Sequence, residues 1–280
     1  MPQLHRPWVR LWRSWPFQCR PNIDLQRPCE NGLTFCTWRP RARTKSLQFI
    51  SVAVFVAQTA SFCTPTGTQR SRSRDSDVGQ RLNYLDLMSQ LCASDVLAYD
   101  YCGYGFSEGT PTEETCNESI EAAYAYLRQQ FAPNRIILFG RSIGTGPTVE
   151  LALRHPEIRG MVLQSPIESC GRVVFGTAAS WLGYRMDLFR NYEKMDQVRC
   201  PVLVMHGTDD DIVPIENGFS IHEACQNAVE PLWLEGYGHN DLPNEVCLRR
   251  VREFMDEMDG LSWGWNIFVT NLATHISVNL

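Results

Sequence analysis

The sequence has no Cys-x-x-C pair, although eleven of its 280 residues are cysteine. No Cys/His spacing fits a structural zinc site, so a metal-stapled domain is excluded. The cysteine count is odd, and Cys92 and Cys225 sit among apolar residues. That pattern predicts reduced, buried thiols in a cytoplasmic protein rather than a disulfide framework. Excess positive charge is also missing: the net charge of -5 gives no reason to expect nucleic acid as a partner. So is an uninterrupted apolar run of the ~20 residues that a membrane span needs. The nearest contender, Leu47 to Cys63, is uncharged and follows Arg41, Arg43 and Lys45, but it contains Gln48 and Gln58. A buried strand therefore ranks ahead of a membrane anchor, and association with a membrane surface stays the alternative.

Acids are scarce in one place only. Residues 1–74 carry 12 Arg and Lys against 2 acids, whereas residues 75–280 carry 14 against 29. The front quarter is rich in Arg, Pro and Trp, and residues 1–46 show no sustained period of 2 or 3.6. The sequence thus divides into an irregular basic segment (1–74), one α/β domain (75–259) and an unplaced tail (260–280). A domain of that size buries a substantial core.

From Asp77 onward the pattern is regular. Leu82, Leu85, Met88 and Leu91 mark an amphipathic helix, and Asp95 to Tyr101 reads as a buried strand. Thr112 is placed to cap a helix running to Gln130. Further strands are expected near 136–139, 161–164, 202–205 and 231–234. Helices are expected near 148–154, 216–226 and 242–258. Alternation at this spacing predicts a mostly parallel sheet with helices on both faces.

The chemistry starts at Gly140-Arg141-Ser142-Ile143-Gly144-Thr145, between an apolar strand and a helix. Strand, sharp turn and helix with a serine at the apex is the nucleophile elbow, whose glycines leave room for a tight turn. A serine hydroxyl needs a base to take its proton, and the base needs an acid behind it. In an α/β-hydrolase fold the acid and then the histidine follow on loops after later strands. The strand 202–205 leads into His206-Gly207-Thr208-Asp209-Asp210-Asp211-Ile212-Val213-Pro214. The strand 231–234 leads into Glu235-Gly236-Tyr237-Gly238-His239-Asn240-Asp241. His239 is the expected base. Asp210, at the turn apex, is the expected acid, with Asp209 as runner-up. His206 is expected to pack beneath the acid loop. The oxyanion of the reaction would be held by the N–H of Ile143 and a second backbone donor. No cofactor and no metal is called for.

Several stretches carry a family resemblance. They are Leu97-Ala98-Tyr99-Asp100-Tyr101 with Gly103-Tyr104-Gly105, the elbow, Gln164-Ser165-Pro166, Asp187-Leu188-Phe189-Arg190-Asn191, and Val229 to Gly236 running into Gly238-His239-Asn240-Asp241. In these, residues 77–255 resemble the α/β-hydrolase domain 17 family, serine hydrolases associated with removing palmitoyl groups from protein cysteines. The resemblance implies Ser142 as nucleophile, Asp210 as acid and His239 as base, acting on an acylated protein or a small acyl ester. Two departures stand out. The family's His-Gly-Asn loop, source of the second oxyanion donor, is replaced by Arg72-Ser73-Arg74-Asp75. The family's N-terminal cysteine cluster is replaced by the dispersed Cys19, Cys29, Cys36 and Cys63.

The expected fold is therefore the α/β-hydrolase fold, with its first strands missing or irregular. The expected function is that of a serine hydrolase cleaving esters or thioesters through an acyl-enzyme, as an acyl-protein thioesterase does. A peptidase or small-ester hydrolase of the same fold, and an inactive hydrolase-fold binding protein, are the alternatives. Residues 169–192 interrupt the alternation with Val173, Val174, Phe175, Trp181, Leu182, Met186, Leu188 and Phe189. These read equally as core and as a groove for an acyl chain.

Overall fold

The structure is a computed structural model that describes residues 23–26, 35–38, 53–57, 82–104, 107, 109–179 and 187–260. Among these residues eight strands form one sheet, in the order β1-β2-β4-β3-β5-β6-β7-β8. The strands are β1 (Ile23–Gln26), β2 (Phe35–Trp38), β3 (Ala53–Ala57), β4 (Asp95–Tyr99), β5 (Ile136–Arg141), β6 (Gly160–Gln164), β7 (Val202–Gly207) and β8 (Leu232–Leu234). β2 runs antiparallel to both β1 and β4, and every other pairing is parallel.

The expectation of missing or irregular first strands is corrected here. Three of the eight strands come from the front quarter, and β3 lies between β4 and β5, with Val54 opposite both Val96 and Ile137. These three strands share one sheet with the strands of residues 95–234. A sheet without β3 would leave unpaired the strand edge that leads to the elbow, and buried unpaired backbone groups are costly. Within Leu47 to Cys63, Ala53–Ala57 form strand β3, and the remainder lies outside the described residues. The tail 260–280, apart from Gly260, lies outside the described residues.

Among the described residues six α-helices follow: α1 (Leu82–Leu91), α2 (Glu113–Arg128), α3 (Thr145–Arg154), α4 (Cys170–Ala179), α5 (Ile215–Ala224) and α6 (Asn244–Met258). Side chains alternate along a strand, so each strand feeds two cores. Ile136 and Leu138 of β5 face α2, α3 and α5 in one core, and Ile137 and Phe139 face α1 and α6 in the other. Thr112 caps α2, and its hydroxyl and that of Thr115 each accept the other's backbone N–H. Parallel strands buried on both faces carry their chemistry at the carboxyl ends, where loops meet. Among the described residues no helix is long and apolar enough to cross a membrane.

Candidate active site

β5 ends at Arg141, and the chain turns through Ser142–Gly144 as a single 3-10 turn before entering α3. Ser142 has φ 52°, the left-handed region that L-residues rarely occupy. Gly140 makes this geometry possible, because a Cβ there would lie 2.6 Å from Thr148 Oγ1 and 3.0 Å from the Gly144 carbonyl oxygen. The strain at Ser142 is held by hydrogen bonds. Thr145 Oγ1 donates to the Ser142 carbonyl at 2.6 Å, and accepts from the Ile167 N–H at 3.3 Å and Asn191 Nδ2 at 3.5 Å. Asn191 Nδ2 also donates to the Ile167 carbonyl at 2.9 Å.

Thr145→Val keeps the shape but removes these bonds, leaving buried donors unpaired. It is expected to lower stability by about 1–3 kcal/mol in a chemical denaturation curve. Thr145→Ser should restore most of that loss.

Asp210 follows β7 at a turn and is buried. Its Oδ1 accepts from the N–H groups of Ile212 (3.0 Å) and Val213 (2.7 Å). Its Oδ2 lies 2.8 Å from His239 Nδ1 and 3.2 Å from His206 Nε2. Burial alone would raise the carboxyl's pKa, but the bonds from His206, His239 and Val213 outweigh it and hold Asp210 well below the usual carboxylate range. The neighbouring Asp209 is exposed and accepts only from Thr208 Oγ1 through its Oδ1. The geometry thus favours Asp210 over Asp209 as the partner of His239.

His206 is fully buried, and its Nε2 lies 2.9 Å from the Val213 carbonyl. A carbonyl only accepts, so Nε2 carries the proton. His206 therefore braces the acid loop, as expected. His239 follows β8 on a loop pressed against the end of β7. A Cβ on Gly207 would collide with the Tyr237 carbonyl oxygen, and Asp209 N–H donates to that same oxygen at 2.9 Å. Backbone cannot yield cheaply there. Gly207→Ala is expected to displace the His239 loop and cost about 1–3 kcal/mol, read as a lower melting temperature.

Arg141, the residue before the serine, reaches the same loop. Its Nη2 donates to the His239 carbonyl at 2.6 Å and to Asn240 Oδ1 at 3.1 Å. The structure thus joins Asp210 to His239 directly, and ties the strand that bears Ser142 to the His239 loop through Arg141. Ile143 is buried in the turn after the serine. The second oxyanion donor expected at Arg72-Ser73-Arg74-Asp75 lies outside the described residues. Thr145, Asn191 and Arg141 had no signal in the sequence beyond membership of matching stretches. In the insert, Phe189 is fully buried and is core, whereas Val174 and Phe175 are exposed at 50% and 64%. Trp181, Leu182 and Met186 lie outside the described residues. No group of three or more His, Cys, Asp or Glu side chains among the described residues could hold a metal ion.

Comparison with known proteins agrees with this architecture. A family model described as the alpha/beta hydrolase fold matches residues 84–182. The Caenorhabditis elegans alpha/beta hydrolase domain-containing protein aho-3 is 42% identical over 184 residues, covering 64% of this chain and 54% of that protein. The human alpha/beta hydrolase domain-containing protein 17B is 38% identical over 184 residues, covering 65% of this chain and 63% of that protein. The alignment with each thus spans less than two-thirds of the relative's length. Among solved structures, a Paleococcus ferrophilus monoacylglycerol lipase superposes with a TM-score of 0.55 at 16% identity, over 81% of this chain and 99% of its own. The CarC serine hydrolase of carbazole degradation does so with a TM-score of 0.58 at 13% identity, over 85% of this chain and 99% of its own. At that identity the structural likeness speaks for fold alone, while the sequence relatives are far closer. The chain has the α/β-hydrolase fold, and over about 184 residues it is similar to alpha/beta hydrolase domain-containing 17 proteins.

Proposed function

We propose that the chain is a serine hydrolase that cleaves acyl esters or thioesters through an acyl-enzyme, with S-acylated protein cysteines as its substrate class. The observation that carries this reading is the buried 2.8 Å contact between His239 Nδ1 and Asp210 Oδ2, at the sheet edge where Ser142 sits on its left-handed turn. An aspartate on Nδ1 leaves Nε2 as the basic nitrogen and stabilises the cation that forms when it takes a proton.

In the proposed reaction Ser142 Oγ attacks the acyl carbonyl while His239 Nε2 accepts its proton. The tetrahedral oxyanion is held by the N–H of Ile143 and a second backbone donor. Collapse breaks the bond to sulfur, and His239 returns the proton to the departing thiolate. Water then attacks the acyl-enzyme, His239 takes one of its protons, and the carboxylic acid leaves as Ser142 is reprotonated. Every step uses side chains and backbone of this chain with water.

The preference for a long acyl chain rests on the resemblance and on the open apolar residues Val174 and Phe175 beside the sheet's carboxyl edge. Each buried CH₂ of such a chain contributes about 0.8 kcal/mol. The test is covalent labelling by a fluorophosphonate probe, with the modified residue mapped by mass spectrometry. Labelling at Ser142, slowed by a palmitoyl-thioester peptide more than by an acetyl one, is expected. A cooperatively melting protein that takes no label would refute the reading and favour a binding protein.

A further inference from the structure

We infer that Arg141 is the positioning residue that holds the base loop against the nucleophile strand. This rests on the proposed function and goes beyond it, since no motif assigns work to the residue before the serine.

The placement follows from strand alternation. Arg141 lies on the face of β5 that also presents Ile137 and Phe139, under α1 and α6, while Gly140 faces α3. The guanidinium therefore emerges from an apolar layer directly beneath the loop that leads into α6. Both protons of Nη2 are used, on the His239 carbonyl and on Asn240 Oδ1. Among the described residues, nothing accepts from its buried Nε. A side chain placed for packing alone would be apolar here. Burying an unpaired donor costs free energy, which the two bonds to the base loop offset. Ser142 is the next residue, so the tie connects nucleophile and base across 98 positions of sequence.

Burial pulls the guanidinium below its ordinary range, and Tyr84 of α1, Asp210 and Cys247 of α6 oppose that pull. On the His239 loop itself, Asp241 is occupied by the Gly238 N–H at 2.7 Å. The Arg141 tie fixes the main chain that carries the His239 ring, and a misplacement of about 1 Å can cost roughly 10²-fold in rate.

The test compares Arg141→Gln, Arg141→Lys and Asn240→Ala with the wild type on a p-nitrophenyl acyl ester. For Arg141→Gln a fall of about 10- to 100-fold, mainly in kcat and not in KM, is expected. Arg141→Lys keeps a donor to the loop, so its loss should be smaller. Asn240 is exposed, and Asn240→Ala should lower kcat a few-fold. A cooperatively melting Arg141→Gln with wild-type kcat overturns the inference. If that variant does not fold, wild-type kinetics in both Arg141→Lys and Asn240→Ala overturn it instead. A wild type that takes no fluorophosphonate label refutes the proposed function, whereas a labelled wild type with an indifferent Arg141→Gln refutes this inference alone.

Discussion

Ser142→Ala is expected to lower turnover of a thioester or ester substrate by about 10⁴-fold or more, with the melting temperature unchanged. The size follows from the chemistry. Without Oγ no acyl-enzyme forms, and the residual rate is what an oxyanion site and substrate binding give to direct attack by water. The unchanged stability follows from the structure. Ser142 sits at φ 52°, and the Ala variant keeps the Cβ that makes this conformation costly, so strain is equal in both proteins. The bonds that hold the turn run through the Ser142 carbonyl to Thr145, not through the serine hydroxyl. The Asp210–His239 contact does not involve Ser142 either. Steady-state assays and calorimetry on the same preparation check both halves. A folded Ser142→Ala enzyme as fast as the wild type would remove the serine from the mechanism.

The parts of this fold that could be read from sequence are those with long local signals. β5 offers six residues of consistent pattern, and α2 offers sixteen with a cap at Thr112. The same holds for the acid and base loops, because Gly-rich turns after apolar strands are local features. β1 and β2 were not legible. At four residues each they show only two side chains per face, too few to establish a period of 2 against an Arg- and Pro-rich background. What identifies them is pairing: Phe35 lies opposite Tyr99, and Ile23 opposite Trp38, partners remote or unmarked in sequence. β3 was legible as an apolar run, yet its place beside the elbow strand was not, since β4 precedes it in the sheet and follows it in the chain.

The candidate site divides in the same way. Ser142, Asp210 and His239 stand out because a rare chemistry needs those types in that order. His206 could be placed beneath the acid because it ends an apolar strand and is therefore buried. Arg141, Thr145 and Asn191 act through backbone carbonyls and a hydroxyl brought together only by folding. Their residue types carry no signature, and the Arg141–His239 bond joins residues 98 positions apart in sequence. The insert at 169–192 was read equally as core and as groove. The structure separates Phe189, which is core, from Val174 and Phe175, which remain open.

Asp210→Asn is expected to reduce turnover by about 10⁴-fold while also lowering stability, and the reason for both is a count of donors. The Asp210 carboxylate accepts from two backbone N–H groups on Oδ1, and its Oδ2 faces two imidazoles, His239 Nδ1 at 2.8 Å and His206 Nε2 at 3.2 Å. An asparagine must turn its NH₂ toward one of those pairs. Facing the backbone, it sets donors against the Ile212 and Val213 N–H groups, which cannot change. Facing the imidazoles, it meets His206 Nε2, whose proton is fixed by the Val213 carbonyl. It also forces His239 Nδ1 to accept, which moves the proton to Nε2 and leaves the base unable to take one from Ser142. Either orientation leaves buried donors unpaired at a cost of about 1–3 kcal/mol. Asp209→Asn, one residue away and exposed, is the control and should keep turnover within a few-fold of wild type. The pH dependence has a definite sign. Asp210 is held well below the usual carboxylate range in the folded state, so its contribution to stability is fully present above its unfolded value. That contribution is lost as pH falls below about 4, where the unfolded chain takes up a proton that the folded chain resists. The gap in melting temperature between wild type and Asp210→Asn should therefore be widest near neutrality and narrow steadily between about pH 4 and pH 2. A gap that stays constant across that range would mean that the carboxylate's charge is not what the two histidines and two backbone amides hold in place.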